Sequence, residues 1–176
     1  MTASPWAHRA PPIRDTESST VGRWRPATPT ELTASRRQLS AALLDGARPA
    51  ATAEDAVQRL LLAFEELASN ALRHGRLPVE VTVTRTGRSW LLEISDAAAD
   101  REPTPAVDRD PALGGLGLPL VATICAAHGW TVEGGRKVVW ARVDYTRAEA
   151  SEASEASEAP LVPRPRGTSS GHSPMH

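Results

Sequence analysis

Only one cysteine, Cys125, occurs among the 176 residues. No intramolecular disulfide can form, and no cysteine-based metal cluster can be built. Cys125 lies in an apolar stretch, where a small buried thiol fits better than a nucleophile. Aromatic residues are scarce, at 4% of the chain, and Lys137 is the sole lysine beside many arginines, a compositional bias to which no function is assigned. An excess of either charge is also lacking, since 20 basic and 21 acidic residues leave a formal net charge of −1. Such a balance offers no electrostatic footprint for nucleic acid or anionic lipid. The five histidines (His8, His74, His128, His172 and His176) show no paired spacing, which argues against a zinc site. No window approaches the run of about 18 apolar residues that a membrane helix requires. Nor does the N-terminal region carry an apolar stretch behind a basic segment, so no secretory signal is expected and the default compartment is the cytoplasm.

What is present is one ordinary domain between two polar segments. Residues 1–27 are rich in Pro, Ser, Thr and Arg without hydrophobic period, and read as a disordered arm. Residues 147–176 repeat Ser-Glu-Ala and then turn Pro-rich, which reads as a disordered tail. Between them, 28–146 is the candidate domain. Pro29-Thr30-Glu31 opens a helix expected to reach Asp45. A second helix begins near Thr52, a candidate cap, and carries Val57, Leu60, Leu61, Phe64, Leu67, Ala68, Ala71 and Leu72 at helical spacing, with Gly75 beyond its end. Val79, Val81 and Val83 alternate with polar residues, and Thr86-Gly87-Arg88 turns into a second strand, Ser89 to Ser95. A long irregular stretch leads to an apolar helix expected over Leu116–His128, and a final hairpin turns at Gly134-Gly135. The order α-α-β-β-loop-α-β-β predicts an α/β two-layer sandwich. Its sheet would be mixed, largely antiparallel, and covered on one face by helices.

Three constellations could carry chemistry. Glu66, Asn70 and His74 recur every four residues, a helical stripe that drifts about 40° per step. An amide oxygen one turn from a carboxylate suits Mg²⁺, which prefers oxygen ligands and retains water; alternatively, the carboxylate could take a proton from an attacking hydroxyl. The simpler reading is a solvated face with an i, i+4 bond. Asp96, at the end of the second strand, could accept from an exocyclic amine such as adenine's, or could merely form a turn. Gly114-Gly115-Leu116-Gly117 precedes a helix, where backbone N–H groups attract phosphate. It is neither a P-loop nor a Rossmann fingerprint.

Their order along the chain resembles the GHKL-type ATP-binding domain, the Bergerat fold shared by DNA gyrase and histidine kinases. The stretches that carry the likeness are Phe64 to Gly75, Leu92 to Asp96, Gly114 to Val121 and Val138 to Ala141, within about Trp24 to Tyr145. Among these proteins the chain is most similar to the small stand-alone anti-sigma regulatory kinases of bacteria. The resemblance implies that Asn70 ligates Mg²⁺ at the ATP phosphates, Glu66 acts as catalytic base and Asp96 reads adenine. Ala97 to Leu113 would form an ATP lid, and Gly115 and Gly117 would cradle phosphates with Leu116 and Leu118 beside them. Arg73, His74 and Ala98 would also line the nucleotide.

Two departures bear on the adenine side. Where the family's first glycine box reads Asp-x-Gly-x-Gly, this chain has Asp96-Ala97-Ala98-Ala99-Asp100, and Arg136-Lys137 stands where a Gly-Thr pair often precedes the last strand. The leading expectation is an ATP-dependent serine/threonine protein kinase that phosphorylates an anti-anti-sigma partner and can sequester a sigma factor. The alternative is a non-catalytic module that acts by protein contact. Homodimers are common among such regulators. A complete sensor histidine kinase is not expected, because no phosphoacceptor-histidine helix pair precedes the domain.

Overall fold

A computed structural model describes residues 6–50, 52–103 and 117–146. Strand β1 (Ser19–Trp24) is followed by helix α1 (Pro29–Ala42), a π-helical segment (Leu43–Ala47) and the long helix α2 (Glu54–His74). Strands β2 (Glu80–Arg85) and β3 (Ser89–Asp96) come next, then helix α3 (Gly117–Ile124) and the hairpin of β4 (Ala127–Glu133) and β5 (Arg136–Asp144). The five strands form one sheet in the order β1-β2-β3-β5-β4, with antiparallel pairing throughout. Among the described residues, the mixed character expected of it reduces to a single isolated parallel bridge, His8 to Trp130.

Alternation along the strands sorts the two faces. Val81 and Val83 of β2, Trp90, Leu92 and Ile94 of β3, and Val139, Ala141 and Val143 of β5 share one core cluster with the helices. Against them α2 buries Ala56, Leu60, Ala63, Phe64, Leu67, Ala68 and Ala71, the stripe its periodicity predicts. Leu91 and Trp140 point the other way and stand outside that cluster although they are buried. The result is an α/β fold with helices on one face of an antiparallel sheet.

Helix starts follow local chemistry. The Thr28 hydroxyl accepts from the Glu31 amide at 3.2 Å, and the Glu31 carboxylate accepts from the Ala27 amide at 2.6 Å. This is close to a reciprocal capping box, with Pro29 in the first helical turn. At α2 the expected Thr52 cap is replaced. The N-cap is Ala53, without a side-chain cap, and its amide donates to the Tyr145 carbonyl at 2.9 Å. Glu54 and Asp55 still place negative charge in the first turn, where the helix dipole favours it.

Three expectations change. The described part of the expected arm, residues 6–27, is not simply disordered: β1 pairs with β2, Trp24 packs edge-on against Phe64 at 5.4 Å, and Trp6 is 2% exposed. An edge strand with few apolar residues and widely spaced tryptophans has no period to read. Helix α1 stops at Ala42, short of Asp45, and the chain turns out at Gly46, whose φ is 105°. Helix α3 ends at Ile124, so His128 and Gly129 belong to β4. The apolar run from Leu118 onward has no polar face to fix its period, and pairing with β5 decides it. Gly129 fits there because a methyl group would lie 2.9 Å from the Trp140 ring. The tail over 147–176 lies outside the described residues.

Candidate functional site

The C-terminal half of α2 carries Glu66, Asn70, Arg73 and His74. Leu67, Ala68 and Ala71 turn into the core, which leaves Glu66 and Asn70 half-buried along the helix margin and Arg73 and His74 exposed. The Arg73 guanidinium donates to the Ser69 hydroxyl at 2.5 Å. That is an i, i+4 bond on the exposed face, whereas among the described residues no side-chain hydrogen bond or ion pair links Glu66 to Asn70. Instead Glu66 meets α3. A β-carbon on Gly117, the first residue of that helix, would lie 2.6 Å from Glu66 Oε2. Two of the predicted elements, the helix carboxylate and the end of the glycine-rich segment, are thus in contact. Leu118 turns its side chain into the core at 3% exposure, and its carbonyl accepts from Trp6 Nε1 at 3.3 Å. Only its backbone N–H remains as a group that a ligand could use. Gly115 and Leu116 lie outside the described residues, as does most of the expected lid.

Asp96 ends β3 at the C-terminal end of α2. There the amide of Gly75 closes the helix on the Ala71 carbonyl at 2.8 Å. Gly75 has φ −85°, open to any residue, so positive φ does not explain this glycine. Space does: a β-carbon would lie 2.6 Å from the Ala71 carbonyl oxygen and 2.7 Å from Asp96 Cγ and Oδ2. Asp96 Oδ1 accepts from the Ala98 amide at 2.7 Å, fixing the turn that follows. The next residues are tied to the α2–β2 connection, since the Ala97 amide donates to the Arg76 carbonyl and Arg76 pairs with Asp100 at 3.2 Å. The Ala98 methyl is fully buried.

The residue that sequence reasoning missed as a partner is Lys137. It lies directly across from Asp96 in the β3–β5 ladder, on the helix-facing side. Its Nζ is 3.2 Å from Asp96 Oδ2, and the two side chains are 5% and 1% exposed. A charged pair this deeply buried is held by mutual attraction that offsets desolvation, and neither partner is readily removed alone. The preceding residue, Arg136, anchors the same corner by donating to the Pro78 carbonyl at 2.6 Å and the Ser95 carbonyl at 3.2 Å. The sequence signals were Arg136-Lys137 in place of the family's Gly-Thr pair and a lone lysine at the second position of the last strand; neither names Asp96 as its partner.

Elsewhere the charged core is structural. Arg59 of α2 is buried, pairs with Asp55 at 3.1 Å and reaches the carbonyls of Ile124 and Asp144. It pins the ends of α3 and β5 to α2. Burial pushes the Cys125 thiol up to about 12, with nearby Arg59 acting weakly the other way. A thiol held protonated is no nucleophile. Among the described residues there is no group of three or more His, Cys, Asp or Glu that could hold a metal, and no helix is long and apolar enough to cross a membrane. Residues 25–143 match the family model of the histidine kinase-like ATPase domain. No curated protein matches the chain.

Proposed function

The chain belongs to the histidine kinase-like ATPase family, and from that premise we propose that it is a Mg·ATP-dependent regulator that phosphorylates a serine or threonine on a protein partner. Membership in the family supports an ATP-binding regulatory function. The observation that carries the finer reading is the approach of the Glu66 carboxylate to Gly117, one helical turn from Asn70. Phosphoryl transfer needs mainly positioning and charge neutralisation, which Glu66 and Asn70 would supply by positioning and a bound Mg²⁺ by its charge. A single amide oxygen fits Mg²⁺, which keeps several waters and shares phosphate oxygens in place of a protein cage. Asn70 would hold it, and when bound it would neutralise phosphate charge. Glu66 would accept the proton of the attacking hydroxyl, and the N–H groups at the start of α3 would face the phosphates.

The regulatory partner is proposed to be an anti-anti-sigma protein, with a sigma factor as a second binding partner, a cytoplasmic setting and a homodimer as the working form. Incubation with labelled ATP and candidate anti-anti-sigma proteins tests the reading. Label should pass to a partner serine or threonine with the native chain and fail with Glu66→Ala, while nucleotide binding is retained. Binding without transfer to any partner would favour the second reading, a non-catalytic module acting by protein contact. The buried Asp96–Lys137 pair supports that second reading, because Asp96, the residue proposed to read adenine, already faces a charged partner.

A further inference from the structure

We propose that Lys137 is a specificity-determining residue of the nucleotide site: its ammonium holds Asp96 Oδ2, where the amine of a 6-amino purine would bind, and so abolishes selection for adenine. The inference rests on the nucleotide-site reading above. Asp96 has two oxygens, of which Oδ1 accepts a hydrogen bond and Oδ2 makes none but faces the Lys137 ammonium as an ion pair. Oδ1 takes the Ala98 amide at 2.7 Å, and Oδ2 lies 3.2 Å from Lys137 Nζ. The backbone at Gly75 closes another side of Oδ2, where even a methyl group would be 2.7 Å away. At 1% exposure Asp96 offers a base no open face at this oxygen while Lys137 stands against it.

An exocyclic amine and an ammonium are both donors, and they compete for the same space beside one buried oxygen. The ammonium has the advantage, since its full charge is attracted to the carboxylate and a neutral amine carries none. Displacing it would leave a buried cation unpaired, which is costlier still. A base with a carbonyl at the same position meets no such conflict, because Nζ has further protons to donate. Affinity then comes from the phosphate side and discrimination between 6-amino and 6-oxo purines disappears.

The test compares Mg·ATP with Mg·ITP, which differ in the base at position 6 and N1, for the native chain and for Lys137→Ala and Lys137→Thr, by calorimetry. The native chain should bind the two nucleotides within about threefold of each other. Both variants should prefer ATP by roughly tenfold or more, the value of a regained hydrogen bond to a charged acceptor. Thermal melting of each variant establishes that it is folded. Should neither variant fold, the native comparison decides alone. A native preference for ATP above about tenfold, or folded variants that bind both nucleotides equally, would overturn the inference and leave the nucleotide site standing. Failure of every folded protein to bind either nucleotide overturns the site itself, and the inference with it.

Discussion

Gly117 and Glu66 are packed so closely that a methyl group on the glycine would lie 2.6 Å from the carboxylate oxygen Oε2. The contact joins the middle of α2 to the first residue of α3, two elements separated in sequence by strands β2 and β3. The atom that would be struck is the far end of a flexible side chain, so the backbone need not move. Gly117 opens α3, so the preference of alanine over glycine in helix interiors, about 1 kcal/mol, acts there only in part. Gly117→Ala should therefore melt at the native temperature or slightly higher, yet turn the Glu66 carboxylate away from its place. Phosphoryl transfer should fall at least about tenfold, within the range that a misplaced general base costs. Melting and transfer assays on one preparation separate the two effects. A large loss of stability with transfer per folded molecule intact would contradict this account.

Gly75 gives the opposite sign. A β-carbon there meets the Ala71 carbonyl at 2.6 Å and the buried Asp96 carboxylate at 2.7 Å, and neither can yield cheaply. Gly75→Ala should destabilise the fold by about 1–3 kcal/mol, the range seen for overpacking. Urea denaturation measures it. A neutral substitution would mean that the corner around Asp96 is looser than described.

Cys125 and Tyr145 make a pH prediction. Burial raises both, from 9.0 and 10.0 in the open chain to about 12 each. Above pH 9 the unfolded chain loses protons that the folded chain keeps, so the stability they contribute is full below pH 9 and declines from there towards 12. Denaturation midpoints should hold steady from pH 7 to 8.5 with respect to these groups and drop beyond it. At pH 8, alkylation of Cys125 by iodoacetamide should be much slower in the native chain than in urea. Equal rates would show that the thiol is not buried.

Legibility in the sequence tracked periodicity. The α2 stripe from Leu60 to Ala71 and the alternation of Val81 and Val83 repeat at intervals that belong to one element type, and both elements form as expected. The run from Leu118 to Trp130 is apolar on all sides, so its division between α3 and β4 depended on pairing with β5, which no local pattern reveals. Strand β1 was hidden because an edge strand can be mostly polar. At the site, Glu66, Asn70 and Asp96 were named from order and spacing, and α2 and β3 do carry them. The link from Asp96 to Lys137 spans the sheet register, a long-range relationship that the side chains alone do not announce.

The most direct test of the central claim, a Mg·ATP site built on α2, is calorimetric titration of Mg·ATP into the native chain and into Asn70→Ala. Asn70 lies on the margin of the helix, outside its buried stripe, so the substitution should leave folding intact. The native chain should bind with a measurable Kd below millimolar, and Asn70→Ala should weaken binding by at least about tenfold, since even the outer-shell partners of a metal ligand are worth roughly tenfold to a hundredfold. Equal affinities in the two proteins, or no binding to the native chain at millimolar Mg·ATP, would contradict the account.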